Sequence, residues 1–103
     1  MKRTLENGDL TISIHEDLIS TSVSRKKSQF QEIFHESGDI DTITLDIKDV
    51  DLIDSQGLNL LISVYQECQK RSIKFKITGC SQSNMKLFSF VKMKERFGIE
   101  ANV

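Results

Sequence analysis

The stretch Ile43-Thr44-Leu45-Asp46-Ile47-Lys48-Asp49-Val50-Asp51-Leu52-Ile53-Asp54-Ser55-Gln56-Gly57-Leu58 changes its hydrophobic period partway along. Ile43, Leu45 and Ile47 alternate with Thr42, Thr44 and Asp46, the period of two that belongs to a strand. From Leu58 onward the apolar residues Leu58, Leu61, Ile62, Tyr65 and Cys68 recur at spacings of three and four, which is the stripe of a helix. Lys70-Arg71 then place positive charge at its carboxyl end, as the macrodipole favours. Between the two periods lies an acidic connection, Asp49 to Asp54, that also carries Val50, Leu52 and Ile53. A strand feeding a helix through a short loop opens a crossover, and Ile73, Phe75 and Ile77 supply the strand that completes it.

The flanking segments repeat that logic. Lys2 to Glu6 and Asp9 to His15 surround Asn7-Gly8, a dipeptide suited to the positive φ angles of a two-residue hairpin turn. Leu10, Ile12 and Ile14 alternate with polar residues in the second arm. From about Thr21 to Glu36, Val23, Phe30, Ile33 and Phe34 fit one helical stripe, with Arg25, Lys26, Lys27, Gln29 and Glu32 largely outside it, and Ser37-Gly38-Asp39 stops the helix. Gly79 ends the last strand, Ser81 can cap a helix carrying Met85, Leu87, Phe88 and Val91, and Met93 to Phe97 adds a final short turn. The order strand, strand, helix, strand, helix, strand, helix predicts an α/β fold: a small mixed sheet, an opening antiparallel hairpin then parallel strands, with helices packed on it. Right-handed crossovers bring the carboxyl ends of the last three strands to one edge. The loops Glu16 to Ser20, Asp49 to Gly57 and Gly79 to Gln82 meet there, so topology alone places Ser55 beside two other loops.

The chain has 103 residues, one domain by length, expected to bury ~65% of its unfolded surface. With 14 Lys+Arg against 15 Asp+Glu it lacks the basic field that holds a phosphate backbone, which argues against a nucleic-acid partner. No apolar run approaches a membrane span and the amino terminus lacks a signal-peptide core, so a cytoplasmic location is expected. Cys68 and Cys80 lack C-x-x-C spacing and read as reduced structural thiols. Asp46, Asp49, Asp51 and Asp54 follow a strand and a turn without the pattern of a calcium loop, so no metal or other cofactor is expected. Only His15 and His35 are available as imidazole bases and no G-x-S-x-G elbow is present, so no catalytic residue is assigned and the chain reads as a non-enzyme, monomeric when free.

Asp54-Ser55-Gln56-Gly57-Leu58 stands at the loop-to-helix junction, where Asp or Ser can accept hydrogen bonds from the first free N–H groups of the helix. Gly57 serves no cap and costs up to ~1 kcal/mol relative to Ala in a first turn, which implies a close approach by something else. The spacing leaves two readings open, a plain amino-terminal cap or a recognition and modification site.

The residues Ile43-Thr44-Leu45-Asp46, Val50 to Leu58, Leu60-Leu61 and the strand Lys74 to Thr78 resemble the STAS domain family, and within it the bacterial anti-sigma factor antagonists. The element order fits nearly the whole chain, and the residue-level match runs from Ile43 to Gly79. The resemblance implies that the Ser after the Asp, here Ser55, is phosphorylated by a partner serine kinase that is also an anti-sigma factor with a histidine-kinase-like ATPase fold. The unmodified antagonist then binds the kinase, phosphorylation releases it, and a PP2C-type phosphatase restores it. Asp54 and Gly57 match the motif, whereas Gln56 stands where relatives often have a small or hydroxyl residue. The loop that often reads Gly-x-Leu/Ile-Asp in relatives is Glu16-Asp17-Leu18-Ile19 here, which points to a partner whose surface differs, with Asp17 able to supply the charge from a neighbouring position.

The expected partner-facing surface comprises Asp54, Gln56, Gly57, Asn59 and Ser63 of the central helix, with Asp17 and Ser20 from one loop and Ser81 from another. Leu58, Leu61, Ile62 and Tyr65 are expected to face the core, leaving Gln56, Asn59 and Ser63 opposite. A phosphate on Ser55 would sit at a helix amino terminus, which tolerates negative charge, so the switch is expected to be local. The alternative is a STAS domain that is never phosphorylated and serves as a fixed subunit of a transport or signalling assembly. The lipid-transport relatives among these often carry Thr at the motif position, so Ser55 favours the switch.

Overall fold

The computed structural model describes residues 1–36, 38–93 and 96–98. The chain forms β1 (Lys2–Glu6), β2 (Asp9–Ser13), α1 (Ser20–Glu36), β3 (Thr42–Asp46), α2 (Ser55–Lys70), β4 (Lys74–Thr78) and α3 (Gln82–Phe90). The sheet order is β1-β2-β3-β4, antiparallel for the first pair and parallel for the other two, as the element order predicts. Asn7 and Gly8 turn the hairpin with φ of 50° and 84°. Ser37, part of the expected helix stop, lies outside the described residues, as do residues 94 and 95 of the expected final turn.

Register aligns two apolar rows across the parallel strands. Leu10 faces Ile43, which faces Phe75; Ile12 faces Leu45, which faces Ile77. All six are buried, and a one-residue slip in any strand would turn its members of the rows to the opposite face. Phe30, Ile33 and Phe34 from α1 join the same core, as do Leu60, Leu61, Val64 and Cys68 from α2 and Phe88 from α3. Phe97 is fully buried and meets the rings of Tyr65, Phe75 and Phe88 edge-on at centroid distances of 5.9, 5.8 and 5.2 Å. Its N–H donates to Met93 O at 2.9 Å. Desolvation pushes the thiols of Cys68 and Cys80 up to about 12 and about 11, so both are inert at neutral pH.

Two burial expectations are corrected. In α2 the innermost line is Gly57, Leu60, Leu61, Val64 and Cys68, while Leu58, Ile62 and Tyr65 are only half-buried. Apolar residues wrap more than half of this helix, so periodicity alone leaves its rotation loose, and the contact of Gly57 with Leu18 sets it. In α1 Lys26, expected outside the apolar stripe, is buried at 3% exposure, whereas Val23 is only partly buried. The Lys26 ammonium meets the Glu16 carboxylate, which lets its aliphatic stem cover the core. Among the described residues no helix is long and apolar enough to cross a membrane.

Candidate functional site

Beyond their regular pairing, the chains after β2 and β3 stay hydrogen-bonded. Leu18 N–H donates to Leu52 O at 2.9 Å, Asp54 N–H donates to Leu18 O at 3.1 Å, and Leu18 and Ile53 form an isolated parallel bridge. Asp17 reinforces this, because its Oδ1 accepts from the N–H groups of Asp51 at 3.0 Å and Leu52 at 3.1 Å. The acidic connection is thus a tethered segment rather than a loose loop. Leu18, fully buried, is its pivot.

The same pivot explains Gly57. A Cβ placed there would lie 2.0 Å from the Leu18 carbonyl oxygen, so only glycine lets the first turn of α2 pack onto this backbone. The close approach implied by the sequence comes from the chain itself. Gly57 is buried, which corrects its assignment to the partner-facing surface and gives it a packing role.

Asp54 is the cap of α2. Its Oδ1 accepts from Gly57 N–H at 2.9 Å, and its Oδ2 accepts from Ser20 N–H, at the start of α1, at 2.8 Å. One carboxylate therefore satisfies free donors at the amino termini of two helices. The Gly57 N–H, aided by those of Ser20 and Gln56, holds its pKa below the ordinary value.

With Asp54 as cap, the Ser55 side chain has no capping duty. Ser55 is exposed, and among the described residues its hydroxyl makes no hydrogen bond. Gln56, Asn59 and Ser63 are exposed along the same helix, and Ser20 is exposed beside Asp54. Ser20, Ser55 and Gln56 lie where the loops converge, whereas Ser63, two turns further along α2, lines the groove between α1 and α2 beside Lys27 and Gln31. Ser81 differs. It is half-buried and its Oγ accepts from Asn84 N–H at 3.1 Å as the cap of α3. Asp17, with one oxygen taken up by two backbone donors, also has a structural duty.

Three further groups shape the site. Glu16 binds both Arg25, at 2.6 Å, and Lys26, and those cations, Lys26 foremost, lower its pKa to about 2. Buried Asn84 donates from Nδ2 to Val50 O at 3.2 Å and ties α3 to the acidic connection. His15 Nδ1 lies 2.9 Å from Asp49 Oδ2 at the exposed rim. Neither the Lys26 clamp nor the Asn84 tie was legible beforehand, although a polar residue three positions after a capping Ser is a place to look for one. Among the described residues no group of three or more His, Cys, Asp or Glu is arranged to hold a metal ion.

Comparisons with known proteins bear on this geometry. A comparison with curated protein sequences finds no significant match. Among solved structures, similar ones include an anti-sigma factor antagonist from Mycobacterium paratuberculosis, at 13% identity over 99% of this chain and 85% of that one, with a TM-score of 0.84. The Bacillus cell fate determinant and anti-sigma factor antagonist SpoIIAA is similar in its unphosphorylated form, at 16% identity, 98% and 88% coverage and a TM-score of 0.77. Its phosphorylated form gives 14% identity, 99% and 90% coverage and 0.75. The STAS domain of a SulP transporter from Vibrio cholerae is also similar, at 18% identity over 92% of this chain and 72% of that one, with a TM-score of 0.75. The family model of the STAS domain matches residues 2–103, and this chain belongs to the STAS domain family.

Proposed function

We propose that the chain is an anti-sigma factor antagonist that works by partner switching. In its unmodified form it binds a serine kinase, itself an anti-sigma factor with a histidine-kinase-like ATPase fold; phosphorylation of Ser55 releases it, and a PP2C-type phosphatase resets it. The observation that carries this reading is the uncommitted Ser55 hydroxyl, exposed at the start of α2 while Asp54 supplies the cap. A kinase approaching this edge meets a hydroxyl that is free to accept a phosphoryl group without loss of a structural hydrogen bond. The product phosphate, with about -2 charge, sits where the helix dipole tolerates it and the fold persists. It no longer fits a surface that closed on a hydroxyl, and it faces the nucleotide phosphates that the kinase must hold opposite Ser55. Release then follows from local charge and bulk. In this reading the protein is a cytoplasmic, non-catalytic monomer without a metal or cofactor.

The test is incubation with ATP and the serine kinases of its own cell, followed by mass spectrometry and a binding measurement. One phosphate on Ser55 and a weakened complex are expected. Phosphate at Ser20, Ser63 or Ser81 with Ser55 untouched, or unchanged affinity after stoichiometric modification, would favour the fixed-subunit role. The likeness to a transporter STAS domain keeps that second reading in play.

A further inference from the structure

Among the described residues, Leu52 is the large apolar side chain exposed in the acidic connection that leads to Ser55. Among the described residues the exposed large hydrophobics are Leu5, Leu52 and Phe90, and Leu52 is 62% exposed. In the chain it stands between exposed Asp51 and half-buried Ile53, and Asp17 lies across the hydrogen bond to its N–H. Its backbone, moreover, is held on both sides. Its N–H donates to Asp17 Oδ1 and its carbonyl accepts from Leu18 N–H, while Ile53, the next residue, bridges to Leu18. The segment therefore has no freedom to turn Leu52 inward, and the side chain is presented to solvent from a backbone that is already ordered.

We infer that Leu52 is the apolar anchor of the partner complex, inserting into an apolar socket on the kinase that modifies Ser55. Burying it removes apolar surface from water at the rim of an otherwise polar contact, the arrangement by which a few side chains dominate an interface. Asp51, directly beside it, is exposed and makes no ion pair among the described residues, which leaves its carboxylate available to a Lys or Arg at the socket's rim. That cation faces Asp51, whereas the transferred phosphoryl group faces Ser55, so the anchor and the switch are separate parts of one surface. The anchor rests on the partner-switching reading and adds to it what holds the complex before the phosphate breaks it.

The experiment measures kinase affinity and the kinetics of Ser55 phosphorylation for wild type, Leu52→Ala, Leu52→Gln and, as a control on the far edge strand, Leu5→Ala. Both Leu52 variants keep the backbone hydrogen bonds and should melt within a few degrees of wild type. The expected result is a 10- to 100-fold loss of affinity in both, a raised KM with kcat unchanged, and no effect of Leu5→Ala. Wild type that is bound and phosphorylated on Ser55 while both Leu52 variants bind within twofold of it overturns the anchor and leaves partner switching standing. Wild type that no kinase binds or phosphorylates overturns both.

Discussion

Helices α2 and α3 both start at a serine-bearing junction on the same edge of the sheet, yet the two serines have opposite fates. At α3 the Ser81 hydroxyl is itself the cap and accepts from Asn84 N–H. At α2 the cap is Asp54, one residue earlier, so Ser55 opens the helix with its hydroxyl unused. A serine at a helix start is available for chemistry only where another group satisfies the free N–H donors. The one-residue offset between cap and hydroxyl therefore separates a serine that caps its helix from one whose hydroxyl is left uncommitted.

The comparison can be broken first at the packing beneath α2. Gly57→Ala drives a methyl group into the Leu18 carbonyl, and a loss of about 3 kcal/mol or more is expected from denaturant unfolding. A variant as stable as wild type would mean that α2 does not rest on Leu18. Next in size is Asp54→Ala, which removes the acceptor shared by two helix starts at once and should lower the melting temperature more than Ser81→Ala does. Its pH dependence has a definite sign. Because the folded-state pKa of Asp54 is lowered from 3.8, its stabilisation is complete above that value and is lost as pH falls through the folded pKa. The gap between wild type and Asp54→Ala should thus be full at neutral pH and close below about pH 4. Glu16, also lowered, titrates in both proteins and drops out of the difference.

The two serines sharpen the contrast directly. Ser81→Ala removes a cap and should cost about 1 kcal/mol by thermal or chemical unfolding. Ser55→Ala removes no hydrogen bond among the described residues and should change stability by less than about 0.5 kcal/mol. Equal costs at the two positions would show that Ser55 also caps α2. Ser55→Ala should in addition bind the kinase constitutively, so any change in its regulation cannot be traced to unfolding.

The legible parts of the molecule are those written in local chemistry. Alternation at Leu10, Ile12, Ile43, Leu45, Phe75 and Ile77 revealed the strands, and Asn7-Gly8 revealed the hairpin turn. Ser55 was singled out by its motif, and Gly57 by its unsuitability for a helical first turn. The rotation of α2 was less legible, because Leu58, Leu60, Leu61, Ile62, Val64 and Tyr65 offer several adjacent apolar stripes and only a distant contact chooses among them. Lys26 was misread for a related reason. Burial of an ammonium requires a carboxylate from ten residues earlier, and no periodicity within the helix announces that partner.

Period, turn chemistry and crossover length are properties of neighbouring residues, so the sequence by itself determined the order of elements, the parallel strands and the edge on which Ser55 sits. Which side chains on that edge are free was decided only by tertiary structure. Asp17 lies 34 residues from the Asp51 N–H it accepts, and Asp54 lies 34 from the Ser20 N–H. Hydrogen bonds over such separations depend on how two loops meet in space. They turn Asp17 and Asp54 into framework, as the packing of Gly57 on Leu18 does for that glycine, and leave Ser55 and Leu52 facing outward.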